Sequence, residues 1–269
     1  MNRHPIQLHR HPRANGHDRG ALLFVHGAYT DSTHWGVNFV PFFQRHGFDC
    51  FAVDLSGHGA SDGRERLDEF GLDAYADDLA HAVSVIDQRV TRVGHSMGAL
   101  AVQRYLETAP AAAAVFLAPV PPSTGTPASA AQLAICYPAY FQALEETIRG
   151  VFSEVNNDLL AKIYFAPDAT GGDVLDFLPT VAPESQRAVM EMALMPARPP
   201  APRRKIPALV IGGEADALFP SSNLFFTALP WQAKAVRVPG AGHLLPIDRN
   251  GQTVATPMLE GLSGNSATR

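Results

Sequence analysis

The sequence predicts an α/β protein, with a mostly parallel sheet covered by helices on both faces and one helical insertion. Three observations predict it. Short continuous apolar runs alternate with segments whose apolar residues recur at helical spacing. One long stretch, Pro121 to Arg204, shows no core strand and is bracketed by proline-rich sequence. A serine flanked by glycines stands where a strand-like run meets a helix-like one.

Taken in order, Ile6 to Arg13 reads as an antiparallel edge hairpin, though it contains histidines and prolines. Ala21-Leu22-Leu23-Phe24-Val25 is a continuous apolar run, as in a strand buried on both faces. Trp35 to Arg45 follows with Val37, Val40 and Phe43 at helical spacing, and Cys50-Phe51-Ala52-Val53 is the next such run. Tyr75 to Ile86 carries Leu79, Val83 and Ile86 on one helical face. Arg89-Val90-Thr91-Arg92-Val93 then reads as a buried strand, and Ala99 to Glu107 as a helix. Ala114-Val115-Phe116-Leu117 precedes the insertion; Ala208-Leu209-Val210-Ile211 and Ala235-Val236-Arg237-Val238 follow it. The insertion contains Tyr137, Tyr140, Phe141, Phe152, Tyr164, Phe165, Met190, Met192 and Met195. Most of these should pack on one another and on the sheet, while some face the mouth above it as a cap over a ligand pocket. The expected organisation is therefore a core of residues 1–120 and 205–269 with a helical cap at 121–204.

A chain of 269 residues can bury one sizeable core, and 46% hydrophobic with 17% charged residues is an ordinary globular composition. A net charge of -5 and a pI near 6.1 leave no basic footprint for nucleic acid. His4, His9, His11 and His17 crowd the start of the chain, but at no zinc-binding spacing, so no metal is expected. No apolar run is long enough to span a membrane, and no secretory h-region follows the first residues. Cys50 and Cys136 are read as reduced thiols in a cytoplasmic protein, without a disulfide.

The chemistry centres on Gly94-His95-Ser96-Met97-Gly98. A turn this tight from strand to helix admits only small residues beside the serine, lifts the Ser96 hydroxyl clear of the sheet and leaves the Met97 N–H free for an oxyanion. A serine hydroxyl needs a base to take its proton, and the base works best when a carboxylate orients it. Asp216 lies in the loop leaving Leu209–Gly213, and His243 in the glycine-rich loop leaving Val236–Val238. Singly, Asp216 could cap the turn before a helix starting near Ser221, with Glu214 as a rival acid, and His243 could be a backbone-bonded loop residue. Jointly, in the order serine, acid, histidine and at strand ends, they read as nucleophile, acid and base. Val25-His26-Gly27-Ala28 offers a second oxyanion donor, the Ala28 N–H, with that of Tyr29 as the alternative. His26 reads as a structural residue, and Asp54 and His58, in the glycine-rich Asp54–Ser61 loop, are kept outside the reacting set.

Together, His26-Gly27-Ala28, the Asp54–Ser61 loop, the Ser96 turn, Gly213-Glu214-Ala215-Asp216 through Pro220, and Gly240-Ala241-Gly242-His243 resemble the α/β-hydrolase superfamily. The match is to its capped, single-domain, esterase and lysophospholipase-like branch, and it runs from near residue 21 to about residue 250. The resemblance implies an eight-stranded, mostly parallel sheet, a Ser96-His243-Asp216 triad and no cofactor. Only one glycine follows His26, which departs from the Gly-Gly-rich lipases. Hydrolysis of a carboxylic ester or lactone of a hydrophobic small molecule is the activity it points to. Thioesterase, amidase, carbon–carbon hydrolase, acyltransferase and cofactor-free perhydrolase or oxygenase chemistry, or a small-molecule receptor, share the scaffold. Methionine and aromatic residues in the cap would serve a homodimer face as readily as a pocket.

Overall fold

The computed structural model describes residues 5–121, 125–194 and 205–264. His4, Met195 and the proline-rich stretches at 122–124 and 196–202 lie outside them. The described strands are β1 (Gln7–His11), β2 (Ala21–Val25), β3 (Asp49–Asp54), β4 (Val90–His95), β5 (Ala114–Leu117), β6 (Ala208–Gly213) and β7 (Lys234–Val238). They form one seven-stranded sheet in the order β1-β3-β2-β4-β5-β6-β7, in which only the β1–β3 pair is antiparallel.

The continuous apolar runs become strands because successive side chains serve opposite faces, and both faces are covered. Leu23, Val25, Phe51, Val53, Phe116 and Val210 pack on one side against α2 (Leu72–Val85), α3 (Met97–Leu106) and α8 (Leu224–Trp231). Leu22, Phe24, Cys50, Ala52, Leu117 and Ile211 face the other side, against α1 (Phe39–Arg45) and α9 (Gly251–Gly264). Trp35, fully buried, stacks on Phe24 with ring centroids 4.8 Å apart. Between β5 and β6 the described residues form α4 (Gly125–Cys136), α5 (Tyr140–Ile148), α6 (Glu154–Tyr164) and α7 (Gln186–Leu194), with no strand. Leu133, Tyr140, Leu144, Leu160, Tyr164 and Phe177 of this segment form their own cluster, which Leu244 of the core joins.

Four expectations are corrected. Ile6–Arg13 gives the single strand β1, not a hairpin, because Pro5 and Pro12 bracket only a few residues able to pair. Seven described strands rather than eight follow from the same loss. Trp35–Arg45 is not one helix: a 3-10 turn at Ser32–Gly36 precedes α1, and Val37, between them, is 60% exposed. β7 is not buried on both faces, since it closes the sheet and only Val238 is fully covered. Cys50 is buried in β3 and Cys136 exposed at the end of α4, and they are not joined.

Because β2, β4, β6 and β7 run parallel, the loops leaving them open on one edge of the sheet. The sharpest of these is the β4–α3 turn. A Cβ on Gly94 would lie 2.4 Å from the Gly98 carbonyl oxygen, and one on Gly98 only 2.3 Å from that of His26 and 2.5 Å from that of Val25. Those atoms are backbone and cannot move aside. Gly98→Ala is therefore expected to cost at least about 3 kcal/mol in denaturant unfolding, while Gly36→Ala, with open space around it, stays within about 1 kcal/mol. Equal losses at the two positions would contradict the close approach of the turn to β2.

Candidate active site

Ser96 is the junction residue between β4 and α3, with φ 51° and ψ −116°. A side chain at positive φ is costly, and the surroundings hold it there: its N–H donates to the Leu117 carbonyl at 2.9 Å, and its carbonyl accepts the Ala99 N–H at 3.1 Å. The Oγ lies 3.1 Å from His243 Nε2, and His243 Nδ1 lies 2.8 Å from Asp216 Oδ2. The other carboxylate oxygen of Asp216 accepts the N–H groups of Leu218 and Phe219 at 2.9 and 2.7 Å, which fixes the acid. All three side chains are buried. With Nδ1–H donated to the carboxylate, Nε2 presents its lone pair to the hydroxyl, as a general base requires. Glu214, the rival acid, is exposed, and its side chain makes no hydrogen bond to His243.

The histidine loop is held from both sides. His95 Nε2–H donates to the His243 carbonyl at 2.9 Å, and burial next to His243 keeps the His95 ring well below the usual histidine pKa, hence neutral. The Tyr164 carbonyl, at the end of α6, accepts both the His243 and the Leu244 N–H groups, at 2.9 and 2.8 Å. A Cβ on Gly242 would meet the Phe165 backbone at 2.3 Å, so the inserted segment and the histidine loop touch through main chain. Above them Phe219 stands edge-on to the His243 ring at 5.3 Å, and the Tyr140 and Tyr164 hydroxyls bond each other at 2.6 Å. Neither His95 nor Tyr164 was singled out from sequence as part of the site; His95 carried a signal, its place inside the Gly-x-Ser-x-Gly turn, and a main-chain contact such as that of Tyr164 carries none.

The β2 loop lies against the serine turn, since a Cβ on Gly27 would fall 3.2 Å from that of Ser96. The Gly27 carbonyl accepts from His26 Nδ1 at 2.8 Å and from Thr30 Oγ1 at 3.0 Å. In a planar trans peptide this turns the Ala28 N–H the opposite way. Among the described residues no acceptor takes the Ala28 N–H, and Met97, first in α3, has no helical acceptor one turn back. The Tyr29 N–H, by contrast, is taken by Glu184 Oε2 at 3.3 Å. Burial, reinforced by the charge of His58, lowers the His26 pKa to about 4, so this ring is neutral and its Nε2 accepts the Leu55 N–H at 3.1 Å.

Asp54 and His58 do not reach Ser96. Asp54 gathers the Ser32 and Ala60 N–H groups and the His9 ring, each within 3.0 Å. His58 Nε2 lies 3.1 Å from Glu184 Oε2, and both side chains are buried. Burial alone would lower the His58 pKa, but the Glu184 charge outweighs it and raises it. Burial would likewise raise Glu184, but His58 and the Ser185 and Tyr75 hydrogen bonds hold it low. Glu184 is the residue that the sequence did not mark at all. Among the described residues no group of three or more His, Cys, Asp or Glu is placed to hold a metal ion, and no helix is long and apolar enough to cross a membrane.

Comparison with known proteins agrees with this architecture. The family model described as "Alpha/beta hydrolase family" matches residues 22–256. A non-heme chloroperoxidase of Streptomyces lividans is 35% identical over 105 residues, which is 38% of this chain and 37% of that protein, so the chain matches little more than a third of that relative's length. A thermophilic esterase from Thermogutta terrifontis superposes with TM-score 0.72 at 18% identity, covering 97% of this chain and 93% of the other. A monoacylglycerol lipase of Paleococcus ferrophilus does so with TM-score 0.69 at 22% identity, covering 97% and 99%. Identities this low carry the fold alone.

The His58–Glu184 pair makes stability depend on pH with a definite sign. The depressed Glu184 contributes stability that is lost as pH falls through its low folded value; the raised His58 contributes stability that is lost as pH rises through its elevated value. The gap in unfolding free energy between the wild type and His58→Gln should therefore be widest below the ordinary histidine pKa of about 6.5, while Glu184 is still ionised, and should narrow as pH rises through the elevated folded value of His58. A gap that does not change with pH would mean that folding leaves the His58 pKa unshifted, and one that grows as pH rises would mean that the ring is held neutral in the folded protein.

Proposed function

The chain belongs to the alpha/beta hydrolase family, and on that premise we propose that it is a serine hydrolase cleaving a carboxylic ester or lactone of a hydrophobic small molecule. One observation carries the reading: the unbroken chain of hydrogen bonds from Ser96 Oγ through His243 to Asp216, with the serine on a strained turn at the open edge of the sheet.

In this mechanism Ser96 Oγ attacks the carbonyl carbon as His243 Nε2 takes its proton. The carbonyl π electrons move to oxygen, and the Ala28 and Met97 N–H groups receive the developing charge. Ala28 is the donor rather than Tyr29, whose N–H is already engaged. Asp216 holds the imidazolium. When the carbon–oxygen bond to the leaving group breaks, His243 gives its proton to the departing alkoxide, leaving an acyl-Ser96. Water then gives a proton to His243, attacks the acyl carbon and frees the acid and the serine. Residues 121–204 act as the cap in this reading, and the contact of Tyr164 with the histidine loop supports it. The apolar and aromatic cluster of the cap, with Phe177 and Leu178, favours an uncharged substrate.

A second reading has specific support in the chloroperoxidase relative. An acyl-serine can be opened by hydrogen peroxide as well as by water, giving a peracid in place of an acid. The same residues would serve, and the two outcomes differ only in the second nucleophile.

Wild type and Ser96→Ala should be assayed on short- and medium-chain aryl esters and N-acyl lactones, with and without peroxide. The expected result is turnover that falls at least about 10⁴-fold in kcat for Ser96→Ala, and similarly for Asp216→Asn, with the ranking of esters reporting pocket size. Turnover that survives Ser96→Ala would remove the serine mechanism. Peracid formation outrunning acid release in peroxide would favour the second reading.

A further inference from the structure

Glu184 sits in the inserted segment, yet its carboxylate is buried and makes four contacts, with the β2 loop, the loop after β3, α2 and its own neighbour Ser185. Oε2 accepts the Tyr29 N–H at 3.3 Å and faces His58 Nε2 at 3.1 Å; Oε1 accepts the Tyr75 hydroxyl and the Ser185 N–H, each at 2.8 Å. Tyr29 is held at φ 62°, a region that a residue with a side chain enters at a cost. Its carbonyl is also taken by the insertion, accepting the Ala182 N–H at 3.0 Å. The peptides on both sides of Tyr29 are thus fixed by residues 182 and 184, while His26 and Thr30 fix the Gly27–Ala28 peptide just before them.

We propose that Glu184 is a positioning residue for the oxyanion loop: it locks the Ala28–Tyr29 peptide from the insertion and so holds the Ala28 N–H on the reacting carbonyl oxygen. The inference rests on the serine-hydrolase reading above. A carboxylate one residue from a developing oxyanion would by itself oppose that charge. The facing His58, when protonated, offsets that charge, and the pair is buried together away from Ser96. Glutamine cannot replace it. An amide has one oxygen, and two backbone N–H groups, those of Tyr29 and Ser185, approach opposite oxygens of Glu184, so one of them loses its acceptor. Because the oxyanion forms only on the way to the transition state, loosening the loop should lower kcat while leaving KM nearly unchanged.

The test compares wild type, Ser96→Ala, Glu184→Gln and Glu184→Asp with an aryl ester, counting active sites by the fraction of Ser96 that an aryl fluorophosphonate labels at completion. Melting temperatures are measured in parallel. The expected result for Glu184→Gln is a fall in kcat per labelled site of about tenfold to a hundredfold, with KM within about twofold, and slower labelling at temperatures well below melting. Glu184→Asp, which keeps the charge on a shorter arm, should recover part of the loss. A lowered melting temperature with kcat per labelled site unchanged would reduce Glu184 to a structural brace and overturn the proposal, as would a rise in KM alone. Failure of wild type to label at Ser96 or to hydrolyse the ester would instead remove the serine-hydrolase reading, and this inference with it.

Discussion

Ser96 has a side chain and a positive φ, and it joins a strand and a helix that are both buried. That conformation persists only because nothing on either side of it needs room. Gly94 lets the turn close on Gly98 and Ala99, and Gly98 lets α3 approach the ends of β2. Any side chain at these positions would push the helix away from the sheet, and the hydroxyl would leave the edge where the other loops converge. The backbone of Val25 and His26, against which Gly98 packs, leads directly into the Gly27–Ala28 peptide that presents the Ala28 N–H. One close approach therefore sets both the height of the serine and its distance from the β2 loop.

The inserted segment has a part in the same geometry. It meets the core through main chain at Tyr164 and Phe165, which receive the histidine loop, and through Ala182 and Glu184, which grip Tyr29. Hydrogen bonds to backbone have little tolerance, so a shift of the segment would move His243 and the β2 loop together. Its apolar residues pack largely within the segment, with Leu244 buried in that cluster and Tyr29, Leu218 and Ile247 of the core packed against it. The polar contacts give it a defined seat, and the apolar cluster gives it a body.

Much of this was legible in the sequence, for identifiable reasons. Continuous runs such as Ala21–Val25 and Ala208–Ile211 read as strands because burial on both faces leaves no polar alternation to blur them. Ser96, Asp216 and His243 stood out because each ends or follows such a run, and the structure brings their side chains within hydrogen-bond reach. The less legible parts turn on contacts between distant residues. Val37 fits a helical pattern, yet the turn at Ser32–Gly36 places it in solvent. The run at β7 looks buried, but among the described residues no strand pairs beyond it. Glu184 lies 126 residues from His58 in the chain and follows a proline, with no local pattern to separate it from any surface glutamate. Long-range polar pairs of this kind leave no periodicity, and only the folded chain reveals them.

The most direct measurement of the central claim is a crystal structure of the protein reacted with an aryl phosphonate, which mimics the tetrahedral intermediate. The account predicts phosphorus bonded to Ser96 Oγ and one phosphonyl oxygen within about 3 Å of both the Ala28 and Met97 nitrogens, with His243 still bonded to Asp216. A phosphonyl oxygen directed away from those two N–H groups, or an adduct on another residue, would contradict it.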